Sequence, residues 1–177
     1  MNTPVAAVAA LAVLRLAELG YARFCAARLK SMGAVFVRQD GYGAIVAVQT
    51  GLLVGCGLEA WFTPWAAPTW AVGGWAALAG GIALRYWSMA ALGPRWNTRV
   101  FVLRDAPLVA RGPYRFLRHP IYLGVTLEVL GLGILCSAWI TLAAVVPLHT
   151  IVTLRRIRLE EGALGLRPIH HTEPDRS

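Results

Sequence analysis

The chain has 177 residues, of which 57% are hydrophobic and 15% charged, and its formal net charge is +8. That apolar fraction is too high for an ordinary soluble domain of this size, so the composition predicts an integral membrane protein. The positive charge does not indicate nucleic-acid binding, because the arginines lie between apolar segments and do not form a basic face on a soluble fold. Cys25, Cys56 and Cys136 lack the spacing of a metal site or a disulfide framework, and we expect them to be buried packing residues.

Five apolar segments are predicted to cross the membrane, since a helical span needs about 20 mostly apolar residues. The first three cover residues 4–21, 42–62 and 68–92. The first carries no positive charge ahead of its apolar core, which favours a retained span over a signal peptide. The apolar run at 121–154 is too long for one span, and the sequence around Ser137 and the proline Pro147 offer places to turn or kink. We therefore predict an all-α membrane protein with about five transmembrane helices, the last two forming a hairpin that a short cytoplasmic C-terminal helix follows.

Positive charge is concentrated in the segments that follow the first, third and fifth predicted spans. The residues are Arg23, Arg28, Lys30, Arg38, Arg95, Arg99, Arg104, Arg111, Arg115, Arg118, Arg155, Arg156, Arg158, Arg167 and Arg176. The other two connections, 63–67 and the turn near Ser137, contain no lysine or arginine. Because basic connections stay in the cytoplasm, we expect a multi-pass protein of the plasma or inner membrane with its N-terminus outside and its C-terminus inside.

Several ionisable residues fall inside the predicted spans, where lipid makes charge costly. Arg15 and Glu18 lie three residues apart on one helix face, which predicts either a mutual ion pair or the lining of a substrate cavity. Glu59 is expected to reach outward from the end of the second span. Glu128 and His149 have no assigned role, although an isolated intramembrane histidine is usually a packed, hydrogen-bonded residue.

The segment LVARGPYRFLRHPIY, which ends at Tyr122, combines a turn, fixed positive charge and a helix start. Gly112 and Pro113 force the turn, and His119-Pro120 begins a helix with proline in its first turn. Free backbone N–H groups at such a start suit a carboxylate or phosphate at the cytoplasmic membrane surface. A basic loop that only fixes the topology is the alternative. In the tail RRIRLEEGAL, Arg156 and Glu160 share a helix face, where an exposed salt bridge would contribute little.

These residues carry a family resemblance. LVARGPYRFLRHPIYLG followed by RIRLEEGAL resembles the isoprenylcysteine carboxyl methyltransferase family of integral membrane methyltransferases, which also includes phospholipid N-methyltransferases. The segment ALRYWSMAALGPRWNTRVFVLRDAPLV is most similar to a bacterial branch that O-methylates alkylpyrones and alkylresorcinols. The resemblance implies one domain, 1–177, in which N-terminal spans at 1–82 precede a cofactor-binding core at 83–165.

The family resemblance also implies the site residues and the cofactor, S-adenosyl-L-methionine. It places the cofactor against Leu108, Val109, Tyr114, His119, Pro120, Ile121, Tyr122 and Glu160, and it implies catalytic roles for Arg156 and Glu160. Arg156 would face the substrate. Arg155 and Glu161, on other helix faces, are expected to matter less.

The implied partner is a lipophilic acceptor that approaches from the bilayer, among membrane lipids and without nucleic acid. Methylation of a prenylcysteine carboxylate or a phospholipid amine are alternatives to methylation of a polyketide lipid. A membrane reductase that uses NADPH, and a non-enzymatic scaffold or transporter, also satisfy the composition. A reductase should add basic recognition of the 2′-phosphate, and a transporter should show broken, repeated spans.

Overall fold

The structure is a computed structural model that describes residues 3–37, 41–63, 68–102 and 109–163. Most of these residues are helical. The helices are α1 (Thr3–Ser31), α2 (Tyr42–Phe62), α3 (Ala71–Leu92), α4 (Pro120–Leu135) and α5 (Trp139–Ala163). Short 3₁₀ turns lie at Gly93–Arg95 and Gly112–Arg115. A two-residue antiparallel ladder pairs β1 (Val35–Phe36) with β2 (Phe101–Val102). The predicted all-α class is confirmed, and this small ladder is its one addition among the described residues.

Each predicted segment coincides with a helix or, at 121–154, with a helix pair, although several bounds differ. The second helix has the predicted bounds, but α1 continues past residue 21 to Ser31. The predicted hairpin is present, since α4 and α5 are joined by a turn at Ser137, where φ is 52°. The separate C-terminal helix is wrong, because α5 runs without interruption through Pro147 to Ala163.

Three of the described helices, α1, α2 and α5, are long and apolar enough to cross a membrane. Large apolar side chains on their outer faces are more than half exposed, including Val13, Leu16, Val54 and Ile140. Such surfaces need lipid around them. Helix α4 is shorter, with 16 residues, and many residues of α3 are glycine or alanine. The membrane class is therefore confirmed, and the five-span topology stays a prediction.

The closest helix pair in the described fold is α3 with α4, which glycines bring together. A Cβ atom built on Gly74 would lie 2.8 Å from the backbone nitrogen of Leu135, and one on Gly81 would lie 2.7 Å from the carbonyl oxygen of Gly124. Neither position has room for a side chain. Small residues that allow backbones to touch are the usual means of helix association in membranes.

The N-terminus of α5 is held by a carboxylate from α2. Glu59 Oε1 accepts hydrogen bonds from the backbone nitrogen of Thr141 at 2.7 Å and from its hydroxyl at 2.5 Å, and Glu59 Oε2 accepts one from Ile140 N at 3.3 Å. A negative charge at this position also interacts favourably with the helix dipole. The sequence predicts that Glu59 reaches outward from the end of the second span. In the structure its carboxylate instead fixes the start of α5.

Four charged side chains connect α1, α3 and α4. Arg15 Nη1 donates to Glu18 Oε2 at 2.8 Å, and its Nη2 donates to Glu128. Arg85 donates to both oxygens of Glu18, with Nε 3.1 Å from Oε1. Glu18, Arg85 and Glu128 are 4%, 9% and 2% exposed. We call Arg15, Glu18, Arg85 and Glu128 the ionic network; its two positive and two negative charges balance inside the apolar helix bundle.

Candidate functional site

The loop before α4 is anchored on α3. Gly112 has φ +59°, and a Cβ atom there would lie 2.9 Å from Ala91 Cβ and 3.3 Å from Trp87 Nε1. Glycine is required here by both the left-handed backbone and the close contact. Arg111 Nε donates a hydrogen bond to the carbonyl oxygen of Ala91 at 2.8 Å. The turn at Gly112–Arg115 is thereby fixed against the end of α3, as the glycine-proline pair predicts.

The start of α4 presents backbone donors. Pro120 is its first residue and is buried, and the preceding His119 has a non-helical backbone at φ −130° and ψ 60°. The His119 side chain makes no cap hydrogen bond to the helix. Because the first N–H groups of a helix have no intrahelical partner, this N-terminus can receive an anionic group.

Glu160, near the end of α5, joins the loop and the start of α4. Its Oε1 accepts a hydrogen bond from the Tyr122 hydroxyl at 2.5 Å and another from Arg156 Nε at 3.1 Å. Burial, and secondarily the negative charge of Glu160, raises the pKa of the Tyr114 phenol. Tyr114 therefore stays a neutral hydroxyl beside the carboxylate at physiological pH. The Glu160 side chain is 28% exposed, so it remains accessible to a bound molecule.

Arg156 is 4% exposed, which excludes the exposed salt bridge considered from sequence. Its Nη2 donates to the carbonyl oxygen of Thr98 at 2.9 Å, while Nε contacts Glu160. A buried guanidinium held at two points is a fixed positive charge, because hydrogen bonds from two of its nitrogens to separate acceptors restrict its orientation.

Glu161 also belongs to this cluster, although the sequence analysis expects it to matter less. It is 6% exposed, and its Oε1 lies 3.2 Å from His119 Nε2. That distance suits a hydrogen bond in which a protonated Nε2 donates to the carboxylate. The signal in the sequence is the adjacent pair Glu160 and Glu161, which from one helix reach Tyr122 and His119 on either side of Pro120.

The structure brings most of the predicted site residues together, but not all of them. Tyr114, His119, Tyr122, Arg156 and Glu160 gather around the end of α5, and Pro120 is the first residue of α4. Ile121 is partly buried and packs against the helix core. Val109 lines a separate surface pocket with Arg28, Arg95 and Arg111. Leu108 lies outside the described residues.

The comparisons with known proteins identify the class. The sequence profile of the isoprenylcysteine carboxyl methyltransferase (ICMT) family matches residues 75–165, which contain α3 from Trp75 onward, the anchored loop, α4 and the whole Glu160 cluster. The chain belongs to the ICMT family, as its motifs predict.

Two relatives carry no assigned activity. The chain is 30% identical over 157 residues to the uncharacterized protein YpbQ of Bacillus subtilis (strain 168), a match that covers 89% of this chain and 94% of that protein. It is 27% identical over 85 residues to an uncharacterized protein of Haemophilus influenzae, covering 48% of this chain and 49% of the relative. No solved structure gives a significant match.

Proposed function

We propose that this protein is an S-adenosyl-L-methionine-dependent O-methyltransferase whose acceptor is a lipid. Membership of the ICMT family supports a membrane methyltransferase. The observation that carries the cofactor assignment is the joining of Glu160 to Tyr122 and Arg156 beside the uncapped start of α4.

The residues of the cluster fit the cofactor group by group. The free N–H groups at the start of α4 suit its aminoacyl carboxylate. Tyr114 offers a neutral aromatic wall for the adenine, and the partly exposed Glu160 offers an acceptor for ribose hydroxyls or for the amino group. His119, held by Glu161, would fix the loop at the edge of this site.

When bound, S-adenosyl-L-methionine supplies a methyl group on a positively charged sulfur, and an oxygen nucleophile can take that methyl group as the sulfur leaves on the opposite side. The protein's contribution is then placement and exclusion of water. Arg156, buried and fixed by Thr98 and Glu160, would hold the anionic form of the acceptor oxygen toward the cofactor. Because an enol or a phenol next to a guanidinium ionises more readily, a strong general base is not required.

The acceptor would occupy the side of the bundle between α1 and α3. A pocket of about 330 Å³ lies there, lined by Ala17, Glu18, Tyr21, Tyr86, Met89 and Ala90. The ring of Tyr21 stacks on Trp96 at 5.5 Å, and Asn97 Nδ2 donates to the carbonyl oxygen of Ala22 at 2.8 Å. The next residue, Thr98, contacts Arg156. Residues 96–98 therefore join the pocket wall to the proposed catalytic arginine.

We propose a long-chain alkylpyrone or alkylresorcinol as the acceptor, because the segment at 83–109 is most similar to that branch of the family. Lipids from cells with and without the protein should differ by the gain of one methyl group on a polyketide lipid, measured by mass spectrometry. A change confined to phosphatidylethanolamine would favour the phospholipid N-methyltransferase alternative. A change confined to prenylated cysteine would favour the carboxyl methyltransferase.

Isothermal titration of the purified protein with S-adenosylhomocysteine and with NADPH tests the cofactor directly. We expect saturable binding of S-adenosylhomocysteine and none of NADPH. The reverse result would favour a reductase, and binding of neither would favour a scaffold or transporter.

The proposed orientation has the N-terminus outside and the cofactor site in the cytoplasm. A cysteine introduced at Thr63, after the end of α2, should react with a membrane-impermeant maleimide added to intact cells, because the 63–67 connection then faces outward. The native cysteines are buried and give a low background. Labelling of Thr63→Cys only after the cytoplasmic side is opened would contradict the five-span topology.

A further inference from the structure

A surface pocket of about 410 Å³ lies at the end of the molecule where α1 and α3 finish. Its lining combines three arginines, Arg28, Arg95 and Arg111, with an apolar wall of Met32, Leu92, Pro94, Val109 and Ala110. We call it the three-arginine pocket. Its volume falls within the range of about 300–1,000 Å³ that is typical of ligand sites.

The three arginines come from separate parts of the chain. Arg28 lies in the last turn of α1, Arg95 in the turn after α3, and Arg111 at the start of the anchored loop. Three guanidinium groups around one pocket attract an anionic group. Arg111 is tied through Nε to Ala91, which leaves the terminal N–H groups of its guanidinium for another acceptor.

In the proposed topology, the pocket lies where a lipid headgroup would be. The basic ends of α1 and α3 and the loop before α4 would then be at the headgroup level of the membrane, and the exposed side chains Phe24 and Met32 flank this end of α1. Basic pockets between transmembrane helices bind phosphate headgroups, and arginine forks match phosphate oxygens. The apolar wall would contact the glycerol and the upper part of the acyl chains.

We propose that the three-arginine pocket binds the phosphate group of an anionic phospholipid. The site is distinct from the Glu160 cluster, because its described lining includes Val109 but none of Tyr114, His119, Tyr122 or Glu160. Val109 is thereby assigned to the lipid site and not to the cofactor. The lipid would tie the end of α1 to the loop that precedes α4.

The test is native mass spectrometry of the full-length protein from detergent with phosphatidylglycerol, phosphatidylcholine or inorganic phosphate. The variant carries the two substitutions Arg28→Gln and Arg111→Gln. We expect it to retain phosphatidylglycerol about thirtyfold more weakly than wild type, since each arginine near a headgroup contributes roughly fivefold in affinity. Phosphatidylcholine retention should be low and unchanged.

The matched control is Arg155→Gln with Arg158→Gln, which removes the same charge from exposed positions near the end of α5. An equal loss in this control would mean general charge attraction and would overturn the proposal. So would unchanged retention in the Arg28 and Arg111 variant, or stabilisation by inorganic phosphate without retention of lipid.

Titration with S-adenosylhomocysteine separates the two sites: a parallel loss of its affinity in the Arg28 and Arg111 variant would assign the pocket to the cofactor. Failure of wild type to bind S-adenosylhomocysteine would reject the proposed function and leave the lipid result intact.

Discussion

Replacing Glu18 by glutamine is expected to destabilise the folded protein by about 3–5 kcal/mol, because it breaks a buried, balanced set of charges. Glu18 contacts both Arg15 and Arg85, so Glu18→Gln leaves two guanidinium groups with the single carboxylate of Glu128. Lipid and apolar side chains cannot solvate the extra positive charge. The apparent melting temperature in detergent should fall by about 6–20 °C. It is measured from the fraction of the protein that stays monodisperse on heating.

A double substitution distinguishes charge balance from side-chain shape. Glu18→Met with Arg85→Met removes one charge of each sign and keeps the Arg15–Glu128 pair, so much of the lost stability should return. Arg23→Gln, an exposed charge change on the same helix, is the control and should have little effect. A melting temperature for Glu18→Gln equal to that of Arg23→Gln would show that the ionic network does not stabilise the bundle.

The second large effect is expected at Glu160, where glutamine keeps the shape of the side chain and removes its charge. Glu160→Gln should weaken the binding of S-adenosylhomocysteine about tenfold to a hundredfold, since a charge-assisted hydrogen bond contributes about 1.5–3 kcal/mol. Tyr122→Phe removes the hydrogen bond that orients Glu160 and should weaken binding less, by about twofold to tenfold. Isothermal titration measures both affinities.

Arg156 should behave differently from Glu160 although the two are in contact. Arg156→Ala is expected to leave the affinity for S-adenosylhomocysteine close to that of wild type and to reduce methylation of an alkylpyrone, because the cation acts on the acceptor oxygen. Because Arg156 also donates a hydrogen bond to the Thr98 carbonyl oxygen, the melting temperature of the Arg156→Ala variant must be measured alongside its turnover. Arg156→Lys should recover part of the turnover. The exposed Arg155→Ala is the control. Equal and small effects in the Arg155, Arg156 and Glu160 variants would reject the proposed roles.

Some features of this protein are determined by the sequence itself. Apolar length and composition predict the membrane class, and the turn signals around Ser137 predict the α4–α5 hairpin, because these depend on local hydrophobicity and backbone preference. The same holds for α2, whose bounds were predicted without error, and for the turn that Gly112 and Pro113 force. The motifs around His119 and Glu160 also identify the ICMT family directly.

Other features were decided only by the tertiary structure, because they depend on which side chains meet across helices. Helical spacing indicates that Arg15 and Glu18 are neighbours but not that Arg85 and Glu128 complete their charge balance. It also places Glu161 on a different face from Arg156, whereas the packing of α5 against the loop turns that face toward His119. Local periodicity fixes a side chain's direction relative to its own helix, and burial then depends on the neighbouring helix. For the same reason the three-arginine pocket, built from Arg28, Arg95 and Arg111, has no signature in the linear sequence.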